Sequence, residues 1–91
     1  MLQTISIIVK GRVQGVYFRQ TTQEKAITLG ITGTVRNLPD RNVKIIATGT
    51  KEQLDKLVAW CRQGPSRAEV VSLELKDEPL QEFDDFKIVR S

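Results

Sequence analysis

Residues 31–48, ITGTVRNLPDRNVKIIAT, decide the fold of this chain. Ile31 to Leu38 reads as a strand, Pro39-Asp40-Arg41-Asn42 as a tight turn, and Val43 to Thr48 as the returning strand. Together they predict a β-hairpin. Outward on the N-terminal side, Phe18, Thr22, Ala26 and Leu29 recur at three- and four-residue steps. That spacing predicts a helix with a thin apolar stripe, and Gly30 is placed to end it in the left-handed conformation. On the C-terminal side, Thr50-Lys51-Glu52-Gln53 has the spacing of a capping box. Leu54, Leu57, Val58 and Cys61 follow at helical steps, and Gly64-Pro65 stops the helix. At the flanks, Gln3 to Lys10 alternates, with Ile5, Ile7 and Val9 on one face and Ser6, Ile8 and Lys10 on the other. Ala68 to Lys76 reads as a further strand, Leu80 to Asp85 as a connection and Phe86 to Val89 as a short last strand. The order β-α-β-β-α-β, plus that last strand, predicts an α+β fold. Its architecture is a ferredoxin-like split-βαβ sandwich, an antiparallel sheet with two helices on one face.

The length of 91 residues predicts one domain over positions 1–91, with a modest core. Net charge is +3, from 14 basic and 11 acidic residues whose signs are interspersed. This mildly favours anionic ligands, but no basic run marks a nucleic-acid tail. No apolar run approaches the roughly 20 residues that span a bilayer, and MLQTISIIVKG lacks the features of a signal peptide. The single cysteine, Cys61, cannot form an internal disulfide. The expectation is a cytoplasmic monomer with no membrane and no nucleic-acid partner. Histidine is absent altogether. That removes the usual general base near neutral pH and the commonest metal ligand.

Gly11 to Arg19, GRVQGVYFR, carries the chemistry. A β-branched strand runs into a turn with two glycines four apart, then into the start of a helix. Backbone N–H groups there lack carbonyl partners and the helix dipole is positive, a geometry suited to phosphate. Singly, these features are ordinary. Two glycines near a strand end are usually turn residues, Arg19 alone is a solvated helix arginine, and Asn37 alone is turn chemistry beside Pro39. Cys61 reads as a small buried hydrophobe, not a nucleophile. Glu82, Asp84 and Asp85 read as a solvated connection. Arg12 is open between steering phosphate and lying on the loop surface.

As a spaced set, GRVQGVYFR at 11–19 and GTVRN at 33–37 resemble the two signatures of the acylphosphatase family. The resemblance extends over nearly the whole chain, including Trp60, Cys61, Gly64 and Pro65. It implies hydrolysis of acyl phosphates to a carboxylate and inorganic phosphate, without metal or cofactor. The family's two catalytic residues fall on Arg19 and Asn37. Phosphate is expected in the loop, so Gln14, Gly15, Val16, Tyr17, Phe18 and Arg19 are the expected substrate-binding residues, through backbone N–H groups and the arginine. Asn37 is expected to hold the attacking water, and a phosphate oxygen of the substrate to receive its proton. Gln14 has a second reading, as a side chain bonding loop backbone.

Two positions depart from the family pattern. Tyr17 stands where many members carry a small residue, often glycine. Asp40-Arg41-Asn42 replaces a common Asp-Gly turn, and Asn42 is expected to take the left-handed angles that glycine would supply. Two other functions are consistent with the fold class. The first is a non-catalytic module that binds phosphate or an acyl phosphate; acylphosphatase-like domains also occur inside larger hydrogenase-maturation proteins with zinc-binding and transferase domains, and the shortness of this sequence leads one to expect the stand-alone enzyme instead. The RNA-recognition motif shares the sandwich, but Val43 to Thr48 lacks the aromatics its third strand needs.

Overall fold

The alternating apolar residues of the first strand meet those of the hairpin. In a computed structural model, which describes residues 1–90, β1 (Gln3–Arg12) pairs antiparallel with β3 (Val43–Gly49). Ile7 and Val9 of β1, with Val43, Ile45 and Ala47 of β3, are fully enclosed. β2 (Thr32–Asn37) pairs with the other edge of β3, which completes the hairpin. α1 (Phe18–Leu29) and α2 (Lys51–Gln63) cover the sheet and touch each other. α1 contributes Phe18, Thr22 and Ala26 to the interior, and α2 contributes Leu54, Leu57 and Cys61.

The two helices end as their sequences require but begin differently. Gly30, at φ 78°, closes α1: its N–H donates to the Ile27 carbonyl at 3.0 Å, and that of Ile31 donates to Ala26 at 2.9 Å. This double bond pattern satisfies two terminal carbonyls. α2 opens with the expected capping box, Thr50 Oγ1 accepting from the Gln53 N–H and Gln53 Oε1 from the Thr50 N–H. α1 has no side-chain cap and no acidic residue in its first turn.

The sheet order is β4-β1-β3-β2-β5, with β4 spanning Glu69–Glu78 and β5 spanning Phe86–Val89. Four strands form the expected antiparallel sheet, whereas β5 joins its edge in parallel with β2. The sheet is therefore mixed. Getting from β4 to β5 carries the chain from one edge of the sheet to the other. It is pinned on the way: the Gln81 N–H donates to Thr4 Oγ1 at 2.9 Å, and Thr48 Oγ1 donates to the Gln81 carbonyl at 2.7 Å. The two hydroxyls lie 2.7 Å apart. Thr4 and Ser6 are thus buried although they sit on the polar face of β1, Ser6 donating to Glu78 at 2.9 Å.

Two local readings need correction. β1 continues to Arg12, two residues past Lys10, because Gly11 and Arg12 pair with Val70 and Glu69 across a bulge. Val71 is the extra residue there and is left 80% exposed. In the hairpin, the left-handed residue is Arg41 (φ 74°), not Asn42. The Arg41 N–H donates to the Leu38 carbonyl at 3.1 Å, closing a turn over Pro39 and Asp40, so the next position turns left-handed. Asn42 instead bonds Asp40, through its N–H and its side-chain amide, both at 3.1 Å.

Candidate active site

Strand directions bring three strand ends to one place. β1 and β2 both run antiparallel to β3, and β5 runs parallel to β2. The C-terminal ends of β1, β2 and β5 therefore share one end of the sheet, where α1 begins. A cleft of about 340 Å³ opens there. Gly15, Tyr17, Phe18 and Arg19 line it from the loop and helix start, Asn37 from β2, and Ile88 and Arg90 from β5. Val13 and Gln20 complete the lining.

The loop is held by its neighbours on both sides. Phe18 is buried and packs against Trp60, ring centroids 5.6 Å apart. Gly64 closes on the same ring, where a Cβ would come within 3.0 Å of Phe18 Cε2. These contacts explain the Trp60 and Gly64-Pro65 stretch structurally: it seats the first residue of α1. On the other side, Gln14 Nε2 donates to the carbonyls of Leu38 (3.0 Å) and Asn42 (2.8 Å). Its amide is thereby committed to the hairpin, the backbone-bonding reading of this residue. Val16 is buried in the core. Neither Gln14 nor Val16 lines the cleft, and Arg12 is exposed outside it.

Electrostatically the site is one-sided. Tyr17 takes the left-handed conformation (φ 62°, ψ 23°) as N-cap, and its side chain accepts no hydrogen bond from the helix N–H groups. The Thr21 N–H is the first to reach back into the helix, to the Tyr17 carbonyl at 3.0 Å. The N–H groups of Phe18, Arg19 and Gln20 are left without intrahelical carbonyls, at the positive end of the dipole. Half-buried Arg19 adds a full charge, and no acidic residue lines the cleft among the described residues. Asn37 contributes a different feature. Its Oδ1 is buried without a hydrogen-bond partner, which ordinarily costs about 1–3 kcal/mol.

Arg19 and Asn37, both read from the sequence, are thus brought to one cleft. Arg90 and Ile88 were not foreseen, because their place depends on the parallel register of β5. Cys61 is fully buried in α2, and burial pushes its thiol from 9.0 up to about 12. Its thiolate is disfavoured and it lies away from the cleft lining. Among the described residues, no three His, Cys, Asp or Glu side chains converge as a metal-binding group, and no helix is long and apolar enough to cross a membrane.

Comparison with known proteins gives the family of this chain and supports its fold. The acylphosphatase family model matches residues 5–88. A curated acylphosphatase of Methylococcus capsulatus is 43% identical over 90 residues, covering 98% of both chains. One from Marinobacter nauticus is 50% identical over 82 residues, covering 89% of each. The crystal structure of acylphosphatase from Bacillus subtilis superposes with a TM-score of 0.93 at 34% identity, over 99% of this chain and 100% of that one. With its two signatures meeting at one cleft and such relatives along its length, the chain belongs to the acylphosphatase family.

Proposed function

We propose that this acylphosphatase binds the phosphoryl group of an acyl phosphate at the start of α1 and attacks it with a water held by Asn37. The observation that carries this reading is the contrast between the helices. α2 is capped by side chains, whereas α1 presents its free N–H groups and Arg19 to an open cleft. An anion there receives several donors at no cost in rearrangement. Arg19 offers two parallel donors to equatorial phosphate oxygens. Asn37 lines the same cleft, where its side-chain amide can hold a water, and the neutral amide does not repel the dianion.

In the reaction, the water oxygen attacks phosphorus, the bond from phosphorus to the acyl oxygen breaks, and the carboxylate departs with the bonding pair. A phosphate oxygen takes the water's proton. The carboxylate is already a stable anion, so no general acid is needed, in keeping with a chain that has no histidine. Positioning and charge neutralisation are what remain for the protein to supply. One domain, acting as a cytoplasmic monomer, suits a chain whose only thiol is buried and whose surface charges are mixed.

The test is hydrolysis of benzoyl phosphate at neutral pH in the presence of excess chelator. Arg19→Ala should lower turnover by roughly 10²–10³-fold, and Arg19→Lys should not restore it. Asn37→Ala should lose turnover while inorganic phosphate still binds. A folded wild-type protein without turnover would refute the reading. Equal loss of phosphate binding in Asn37→Ala would make that residue a binding or folding element.

A further inference from the structure

Arg90 belongs to neither sequence signature, yet it lines the cleft with Arg19. The register explains why. β5 lies beside β2 with Val35 opposite Ile88 and Arg36 opposite Val89, where the strand ends, so the residue that follows is carried toward Asn37, and both line the cleft. Side chains alternate along a strand, and Val35 is fully buried on the face that α1 covers. Asn37, two residues further along β2, falls on that same face, and Arg90, just past the end of β5, joins it in lining the cleft. Arg90 is exposed, and no ion pair among the described residues engages it. Two guanidinium groups and a helix N-terminus therefore face one cleft of about 340 Å³ that no carboxylate of the described residues lines.

We propose that Arg90 is a substrate-binding residue, a second cation that draws the phosphoryl anion into the cleft. The inference rests on the acyl phosphate reading above and adds a role to it. The two arginines divide the work because they are held differently. Arg19 is half-buried in the first turn of α1, beside the free N–H groups that open the helix, where phosphoryl charge gathers in the transition state. Arg90 lies past the end of the last strand, at the rim. A contact of that kind holds substrate, transition state and product phosphate about equally, so it lowers KM and leaves kcat alone. Being exposed, it is also screened by salt.

The experiment compares wild type, Arg90→Ala and Arg90→Lys in the full chain. It measures kcat and KM for benzoyl phosphate and the competitive inhibition constant of inorganic phosphate, at low and at high ionic strength. At low salt, Arg90→Ala should raise KM and the phosphate constant together by about 3- to 10-fold, with kcat within about twofold. The difference should shrink at high salt, and Arg90→Lys should retain most of the wild-type affinity. A misfolded fraction would lower kcat without moving the phosphate constant, so that outcome counts against the proposal. So does an unchanged KM and phosphate constant at low salt. If the wild type hydrolyses no benzoyl phosphate, the parent reading fails. Phosphate affinity followed by phosphorus NMR then decides the role of Arg90 by itself.

Discussion

Two residues with side chains, Tyr17 and Arg41, adopt positive φ angles of 62° and 74°. Tyr17 stands where the family resemblance leads one to expect a small residue, often glycine, and Arg41 lies in the turn that replaces a common Asp-Gly. The sequence flagged the departures but assigned the left-handed turn position to Asn42, since asparagine tolerates it best. A turn closed between Leu38 and Arg41 overrides that local preference, because geometry fixes which position turns left-handed. Arg41 is exposed and outside every ion pair of the described residues, so its side chain offers little in return. Left-handed backbone costs a side chain about 1–2 kcal/mol, partly offset by the greater freedom of glycine in the unfolded chain. Arg41→Gly should therefore stabilise the protein by about 0.5–1 kcal/mol, seen as a higher urea midpoint at unchanged slope. Cys61 gives a prediction in pH. Its folded pKa, about 12, lies above the ordinary 9.0, so the folded state holds the proton longer than the unfolded one. Stability linked to the thiol is complete below pH 9.0 and is lost as pH rises toward about 12. Cys61→Ala lacks this linkage. The stability advantage of wild type over Cys61→Ala should stay constant below that window and narrow within it, in urea titrations across the alkaline range.

At the scale of elements, the readable features were those encoded by neighbours in sequence. The capping box of α2, the glycine that ends α1 and the hairpin all formed where Thr50 to Gln53, Gly30 and residues 31–48 placed them. The bulge at Val71 was not readable, because it depends on where β1 bends away beside β4. The glycines of the two signatures serve unlike purposes, and one substitution separates them. At Gly33 (φ 145°) a Cβ would fall 1.8 Å from the Ile46 carbonyl oxygen, inside the β2–β3 ladder. At Gly15 (φ 74°) a Cβ meets no atom within 4 Å, in a loop that lines the cleft. Gly33→Ala should force the two strands apart and cost at least about 3 kcal/mol, or prevent folding. Gly15→Ala should cost only the left-handed strain, about 1–2 kcal/mol, and leave a folded protein with weakened phosphate binding. Thermal unfolding and phosphate titration of the two variants check this. Comparable destabilisation in both would show that Gly15, too, is held by packing.

For the whole molecule, the sandwich and the meeting of Arg19 with Asn37 were legible because local periodicity and two rigidly spaced signatures carry them. The lateral place of β5 was not. Nothing in FKIV states that it lies parallel to β2, and the threonines that pin the crossing, Thr4 and Thr48, look like ordinary polar-face residues. Arg90 was missed for the same reason, since only that long-range register carries it to the cleft. This architecture also orders the stability of the strands. β1 and β3 are flanked on both sides, and Ile7, Val9, Val43 and Ile45 are fully buried. β5 is a four-residue edge strand, joined on one side only, and Phe86 is its one buried residue. Its approach is tied by the Gln81 bonds to Thr4 and Thr48 and by the Gly33 N–H, which donates to the Asp85 carbonyl at 2.9 Å. A short edge held by a few hydrogen bonds can detach without unfolding the centre. In native-state hydrogen exchange, the bonded amides of β1 and β3 should exchange only with global unfolding. Those of β5 should exchange through a smaller local opening with little dependence on denaturant. Thr48→Val removes the donor to Gln81 and should accelerate exchange in β5 more than it lowers global stability. Equal protection in β1 and β5, in wild type and variant alike, would mean that the strand carrying Ile88 and Arg90 opens only with the whole sheet.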